Sequence, residues 1–214
     1  MTMDQHVADL NVVLDEPAHL IGWSWGAMLA LSFTSIHPKF VRSIVLVGCG
    51  TYDADTRAKY SAAMAAGTTD AVKQRVANLD SSMKQATDTS ERNRLFAAIG
   101  HAADMAQTSN TMASPIDHEL EADALGYDET WADVLRLQAD GIEPQRFASI
   151  TQPVLMLHGA DDPHPGSAIR ETLRQYIPGL EYKELPNAGH KPWLERTARD
   201  HFLATLNAWL EPHF

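Results

Sequence analysis

Cysteine is almost absent from this chain, and other features that identify protein classes are missing with it. The single cysteine, Cys49, cannot form an intrachain disulfide and leaves no cysteine-rich zinc site. Apolar runs stay below about ten residues, which is too short to span a bilayer. The N-terminal segment has neither the basic start nor the apolar stretch of a signal peptide. These absences predict a cytoplasmic protein that does not enter membranes.

Basic residues are also few. The chain has 17 lysines and arginines against 28 aspartates and glutamates, a net charge of −11 over 214 residues. A surface of this sign repels nucleic-acid phosphates and anionic lipid headgroups, so neither partner is expected. The hydrophobic content of 44% is ordinary for a folded chain and argues against disorder.

Short apolar runs alternate with helical patterns towards both ends of the chain. Four short segments are predicted strands, at residues 18–23, 43–48, 153–159 and 181–185, and the continuous β-branched run at 43–48 is typical of a strand buried on both faces. Helical spacing occupies residues 3–15, about 27–36, 166–177 and 194–211. The alternation predicts an α/β fold with a parallel sheet of about four strands and helices on both faces.

The middle of the chain has a different texture. From residue 51 to 148, alanine, charged residues and helical spacing dominate, and no convincing strand pattern occurs. This stretch holds 9 lysines and arginines and 16 aspartates and glutamates, so most of the acid excess lies here. We therefore predict a helical cap at 51–148, inserted into an α/β core formed by 1–50 and 149–214.

A G-x-S-x-G motif, Gly-Trp-Ser-Trp-Gly at residues 22–26, lies between a predicted strand and a predicted helix. Its glycines permit the cramped turn that lifts a serine hydroxyl above a sheet edge. The N-terminus of the following helix favours negative charge that develops near the serine. Ser24 is therefore the candidate nucleophile, and Trp23 beside it is a candidate for lining the substrate pocket.

A nucleophilic serine needs a general base and an acid that orients the base. Asp161 and Asp162 follow the third predicted strand, and His190 follows the fourth. These positions, like Ser24, come at the carboxyl ends of predicted parallel strands, where ligands bind in open α/β sheets. The order serine, aspartate, histidine is that of the hydrolase fold with a nucleophile elbow, and the order alone fits either aspartate.

These segments give the sequence a resemblance to the α/β-hydrolase superfamily. The matching blocks are Gly22 to Gly26, Pro153 to Pro165, and Gly189-His190, with the cap where many family members carry a helical lid. In the family the acid usually comes three residues after the glycine of the H-G-x-x-D block. The resemblance therefore implies Asp162, rather than Asp161, as the triad acid.

The resemblance further implies a triad of Ser24, Asp162 and His190 that needs no cofactor, with the Trp25 backbone N–H as an oxyanion donor. The family usually has four more strands before the elbow, and a loop after one of them donates a second N–H. Because Ser24 comes so early in the sequence, we expect these parts to be absent. Loss of one such donor typically costs on the order of 10²–10³ in turnover.

The same absence predicts an exposed sheet edge. Without its usual predecessors, the elbow strand at 18–23 would carry unpaired N–H and C=O groups and uncovered apolar side chains. We expect a second copy of the chain to cover this edge, so that the protein is a homo-oligomer. The alternatives are that the cap or the helix at 3–15 folds over the gap, or that the chain is a fragment.

The resulting prediction is a carboxylesterase-type serine hydrolase that cleaves small carboxylic esters through an acyl-enzyme. A proline-iminopeptidase-like aminopeptidase is the alternative, because Ser24-Trp25-Gly26 resembles that group's elbow and the acidic cap could hold a substrate ammonium. A non-catalytic hydrolase-like protein that binds a ligand or a partner is the third possibility. His158, Asp162 and His164 could be imagined as metal ligands, but no metal motif accompanies them and no metal is expected.

Overall fold

A four-stranded parallel sheet forms the centre of the computed structural model, which describes residues 1–108, 110–112 and 121–213. The strands are β1 (Ala18–Trp23), β2 (Val41–Val47), β3 (Val154–Gly159) and β4 (Glu181–Leu185), and they lie side by side in that order. All three pairs are parallel, as crossover connections require. The four predicted strands are confirmed to within two residues of their predicted ends.

Eight α-helices accompany the sheet in the described residues. Those next to the strands are α1 (Met3–Val13), α2 (Trp25–Ile36), α7 (Gly166–Arg174) and α8 (Arg199–Leu210). Those between β2 and β3 are α3 (Ala54–Gly67), α4 (Asp70–Gln85), α5 (Thr89–Gln107) and α6 (Ala124–Ala139). Short 3₁₀ turns occupy Pro38–Phe40, Gln145–Ser149 and Glu211–His213.

Helices cover both faces of the sheet, as the continuous apolar strands predict. Side chains of a strand point alternately to opposite faces, so β2 supplies two separate cores. Ile44 and Leu46 pack with residues of α1, α2 and α7, while Val45 and Val47 pack with residues of α8. The predicted α/β architecture is confirmed.

The elbow strand β1 lies at the edge of the sheet. It pairs with β2 alone among the described residues, and the Ile21 side chain is 52% exposed. Helix α1 packs against α2 and α6, with Met3 and Val7 buried, and leaves Ile21 uncovered. The prediction of an edge is therefore confirmed, while the second copy that would cover it stays a prediction.

The last core helix begins later than its pattern predicts. Periodicity starts it at residue 194, but α8 begins at Arg199. The Leu194 carbonyl accepts a hydrogen bond from the Met112 N–H at 2.8 Å, and the Glu195 carboxylate accepts one from the Gly189 N–H at 2.7 Å. These bonds to residue 112 and to the preceding loop keep the segment out of the helix.

The segment between β2 and β3 contains no strand in the residues described. Its Thr111 forms one isolated antiparallel bridge with Glu195, which follows β4. Residues 109 and 113–120 of the predicted cap lie outside the described residues. The division of the chain into a core and a cap domain stays a prediction. No described helix is both long enough and apolar enough to cross a membrane.

Candidate active site

Ser24 lies in the sharp turn between β1 and α2. Its backbone has φ 53° and ψ −119°, a combination that residues with side chains rarely adopt. Gly22 permits the turn, because a Cβ there would collide with the Gly26 carbonyl group. The Ser24 N–H donates to the Val47 carbonyl oxygen at 2.9 Å, which ties the turn to the end of β2. The motif therefore forms the predicted elbow at the carboxyl edge of the sheet.

Asp162 follows β3, and its carboxylate is buried against His190. The Asp162 Oδ2 accepts a hydrogen bond from His190 Nδ1 at 2.7 Å, whereas Asp161 is exposed. Burial is the largest influence on Asp162 and opposes its ionisation, but hydrogen bonds from His164 and His190 outweigh it. Together they hold the pKa of Asp162 well below its usual range. Of the two candidate aspartates, the structure brings Asp162 to the histidine.

The backbone of His190 is held from two sides. Its N–H donates to the Gln107 carbonyl oxygen at 3.0 Å, at the last residue of α5. Its carbonyl oxygen accepts the indole N–H of Trp23 at 2.9 Å. One bond comes from the segment between β2 and β3, and the other from the residue before Ser24. With Nδ1 donating to Asp162, the hydrogen-bond network assigns the free lone pair of His190 to Nε2.

Gly48 is a site residue that the sequence did not reveal. Its φ of +54° is unfavourable for other residues. A Cβ there would also lie 2.9 Å from His190 Nδ1 and 3.1 Å from Asp162 Oδ2. Only a glycine at the end of β2 therefore leaves room for the histidine–aspartate pair. The one sequence signal that could have identified Gly48 is its position just after that predicted strand.

A second imidazole, that of His164, bonds to the same carboxylate. Both its N–H and its Nδ1 lie 2.9 Å from Asp162 Oδ1. The His164 ring stacks on His190, with ring centres 4.6 Å apart, and on Tyr60 of α3, with centres 4.1 Å apart. This stack runs from α3 to His190. The sequence showed only that His164 lies near the acid.

This geometry bears on the idea that His158, Asp162 and His164 could be metal ligands. His158 is buried, and its Nε2 lies 2.9 Å from the His164 carbonyl oxygen. Burial is the main reason that the pKa of His158 is lowered, so its ring is neutral near pH 7. Asp162, His164 and His190 offer ligand atoms within 4.8 Å of one another, but a metal there would have to break both carboxylate–imidazole bonds.

Ser24 and His190 line one cleft of about 720 Å³ between the sheet edge and the helices inserted after β2. Trp23 and Trp25 also line it, together with residues of α3, α5 and α6. Trp25 is the first residue of α2, so its backbone N–H has no acceptor within the helix. The Trp23 ring lies 5.3 Å from the rings of both His190 and Trp193. The volume is within the range of small-molecule sites.

Cys49 takes no part in this cleft. It is buried, and burial raises the pKa of its thiol to about 12. A thiol that stays protonated at neutral pH is a poor nucleophile. The structure therefore agrees with a packing role for Cys49.

Comparison with known proteins supports the fold. Residues 2–197 match the family model described as alpha/beta hydrolase fold. The esterase EaEST from Exiguobacterium antarcticum superposes with a TM-score of 0.55 at 19% identity, over 98% of this chain and 74% of that one. The esterase RhEst1 from Rhodococcus sp. superposes with a TM-score of 0.50 at 18% identity, over 98% of this chain and 72% of that one. Curated proteins give no significant sequence match.

A third structure is that of a serine hydrolase involved in carbazole degradation, the CarC enzyme. It superposes with a TM-score of 0.56 at 16% identity, over 98% of this chain and 71% of that one. At these identities the superpositions establish the fold alone, while the family model covers most of the sequence. The chain belongs to the α/β-hydrolase fold family.

Proposed function

We propose that the protein is a serine hydrolase that cleaves small carboxylic esters, with Ser24 as nucleophile, His190 as general base and Asp162 as the orienting acid. The observation that carries the proposal is the buried 2.7 Å bond between Asp162 and His190, next to a cleft that His190 shares with Ser24. An ionised carboxylate on Nδ1 orients the imidazole and stabilises its protonated form.

The proposed reaction has two halves. Ser24 Oγ attacks the ester carbonyl carbon while its proton moves to His190 Nε2, and the Trp25 N–H donates to the developing oxyanion. The tetrahedral intermediate then releases the alcohol, which takes the proton from His190. In the second half, water gives a proton to His190 and attacks the acyl-enzyme. The carboxylic acid leaves, and Ser24 recovers its proton.

Esters are preferred as the substrate class because they are the least demanding acyl donors. The Trp25 N–H is the one oxyanion donor in this proposal, and a site with one donor favours substrates with good leaving groups. The cleft volume of about 720 Å³ admits a small acyl group and a small alcohol. Carboxylesterase is therefore the specific activity that we propose.

The aminopeptidase alternative needs a carboxylate for the substrate ammonium. Among the described residues that line the cleft, Asp104 is the one acid, and it lies 2.8 Å from Lys191 Nζ. An ammonium would have to displace that lysine. The structure therefore favours the ester substrate over the prolyl amide.

Hydrolysis of p-nitrophenyl butyrate by the wild type and by Ser24→Ala tests the proposal. We expect wild-type turnover above background, and a loss of at least about 10³-fold in kcat for Ser24→Ala. A prolyl p-nitroanilide in parallel separates esterase from aminopeptidase activity. If both proteins hydrolyse the ester at the background rate, the non-catalytic alternative replaces the proposal.

A further inference from the structure

The inserted helices place an arginine in the same cleft as Ser24. Arg57, Tyr60 and Ser61 all line the cleft and, at spacings of three and four residues, lie on one face of α3. Tyr60 stacks on His164, which brings this helix face directly against the candidate triad. Arg57 is half-buried and lines the space that a substrate would fill.

Arg57 forms no ion pair with a carboxylate among the described residues, although Asp53 attracts it from a greater distance. In the described part of the chain, no acid lies within ion-pair distance of its guanidinium. Asp55, the acid nearest in sequence, pairs with Lys59 at 2.8 Å. Asp53 accepts hydrogen bonds from Thr56 on one oxygen and from Thr172 on the other, and it attracts Arg57 only through space. A cation that loses part of its hydration in a cleft and has no ion pair there can be stabilised by an anionic ligand that enters the cleft.

A neutral amide orients the guanidinium instead. Arg57 Nη1 donates to Gln138 Oε1, and Gln138 Nε2 donates to the Thr51 carbonyl oxygen at 3.0 Å. This chain of bonds fixes one edge of the guanidinium, and its other N–H groups donate to no described residue. A planar guanidinium held in this way can bind a carboxylate through two parallel bonds.

Two other charged residues line the cleft besides Arg57. Asp104 and Lys191 pair at 2.8 Å and cancel each other. Arg57 is then the one charged residue without an ion pair among the described cleft residues, in a protein whose net charge is −11. A positive site kept inside an acidic protein attracts anions that the outer surface repels.

We propose that the substrate carries a carboxylate remote from the scissile ester, and that Arg57 binds this carboxylate. The proposal rests on the proposed esterase function and names its substrate class, a half-ester of a dicarboxylic acid or an ester of a carboxylated alcohol. Arg57 contributes by holding the substrate, and it does not take part in the proton transfers.

The test compares selectivity between an anionic and a neutral ester. The substrates are mono-p-nitrophenyl glutarate and 4-carboxyphenyl butyrate, which carry the carboxylate on the acyl and the alcohol side, against p-nitrophenyl butyrate and phenyl butyrate. We expect Arg57→Met to lower the ratio of kcat/KM, anionic over neutral, about 10- to 100-fold for one of the two pairs. The pair affected identifies which side carries the carboxylate.

Two further variants make the test specific. Gln138→Glu keeps Arg57 but gives it an internal carboxylate, and it should lower the same ratio. Arg75→Met removes a charge from the exposed surface of α4, outside the cleft, and should leave the ratio unchanged. If Arg57→Met changes neither ratio, or if Arg75→Met changes one equally, the proposal is wrong.

Binding separates this proposal from the proposed function. Titration of glutarate into Ser24→Ala and into Ser24→Ala/Arg57→Met, followed by calorimetry, needs no turnover. Binding that depends on Arg57 supports the carboxylate site even if no ester is hydrolysed. Equal binding or no binding to both proteins contradicts it, whether or not Ser24 proves to be a nucleophile.

Discussion

The indole N–H of Trp23 donates a hydrogen bond to the main-chain carbonyl oxygen of His190, with 2.9 Å between nitrogen and oxygen. The bond therefore links Trp23, which precedes the candidate nucleophile Ser24, to His190, the candidate base. Because β1 is an edge strand, the elbow has a neighbouring strand on one side only. Trp23 therefore connects two loops whose separation decides whether Ser24 and His190 can exchange a proton.

Replacing Trp23 by phenylalanine keeps an aromatic ring, although a smaller one, and removes the N–H donor. We expect kcat for p-nitrophenyl butyrate to fall up to about tenfold with KM within about twofold, since one hydrogen bond that orients His190 is lost. Steady-state kinetics measure both constants. Trp209→Phe is the control. It removes a comparable indole hydrogen bond, from Trp209 of α8 to Glu181 at 2.9 Å, and Trp209 does not line the cleft. A rise in KM alone would instead give Trp23 a substrate-binding role.

Gly48 offers a second test of the histidine–aspartate pair. Gly48→Ala places a Cβ against His190 Nδ1 and adds about 1–2 kcal/mol of strain at a positive φ. We expect kcat to fall at least about 100-fold while the protein still folds. Gly179→Ala, where a Cβ would meet no atom within 4 Å, should keep wild-type activity. Equal activity of the two variants would show that the pair does not need this space.

Asp162 links the candidate site to the pH dependence of stability. Its pKa is depressed in the folded state, so its ionised form stabilises the fold above the unfolded pKa of about 4, and this contribution is lost as the pH falls towards the folded pKa. Asp162→Asn should therefore unfold more easily than wild type at pH 6–7, and the difference should shrink below about pH 4. Urea denaturation at several pH values measures this difference. A difference that does not change with pH would contradict the ionised, buried carboxylate.

The same variant should be nearly inactive. An asparagine can present its amide N–H to His190 and favour the wrong tautomer, which typically costs about 10⁴-fold in kcat. Circular dichroism of Asp162→Asn provides the folding control. Full activity of folded Asp162→Asn would remove Asp162 from the mechanism.

The exposed edge of β1 makes the predicted homo-oligomer testable. We expect an oligomer in sedimentation velocity at micromolar concentration, and dissociation when Ile21, which is 52% exposed on that strand, becomes lysine. Val12→Lys changes an equally apolar residue of α1 that is 81% exposed and not part of the strand, and it should leave the oligomer intact. A monodisperse wild-type monomer would contradict the prediction.

Much of the fold could be predicted from local patterns. The β-branched run of β2 and the helix formers of α2 carry strong local signals, and the G-x-S-x-G motif between strand and helix located Ser24. Because Ser24, Asp162 and His190 each follow a predicted parallel strand, and the carboxyl ends of such strands lie together, the sequence predicted all three on the same side of the sheet.

What local patterns could not show depends on contacts between distant segments. The Gln107 carbonyl that accepts the His190 N–H lies in a helix of ordinary polar composition, and nothing in its sequence marks that residue. The stack of Tyr60, His164 and His190 joins three separate segments. The late start of α8 has the same origin, since bonds to residues 110–112 and to the 189–191 loop override its helical periodicity.

The central claim, that Ser24 is a nucleophile activated by His190, is tested most directly by covalent trapping. The folded protein is treated with a fluorophosphonate, and the modified residue is located by mass spectrometry of its peptides. We expect one adduct per chain on Ser24, none in Ser24→Ala, and strongly slowed labelling in His190→Ala. An unlabelled Ser24, or equal labelling rates with and without His190, would contradict the claim.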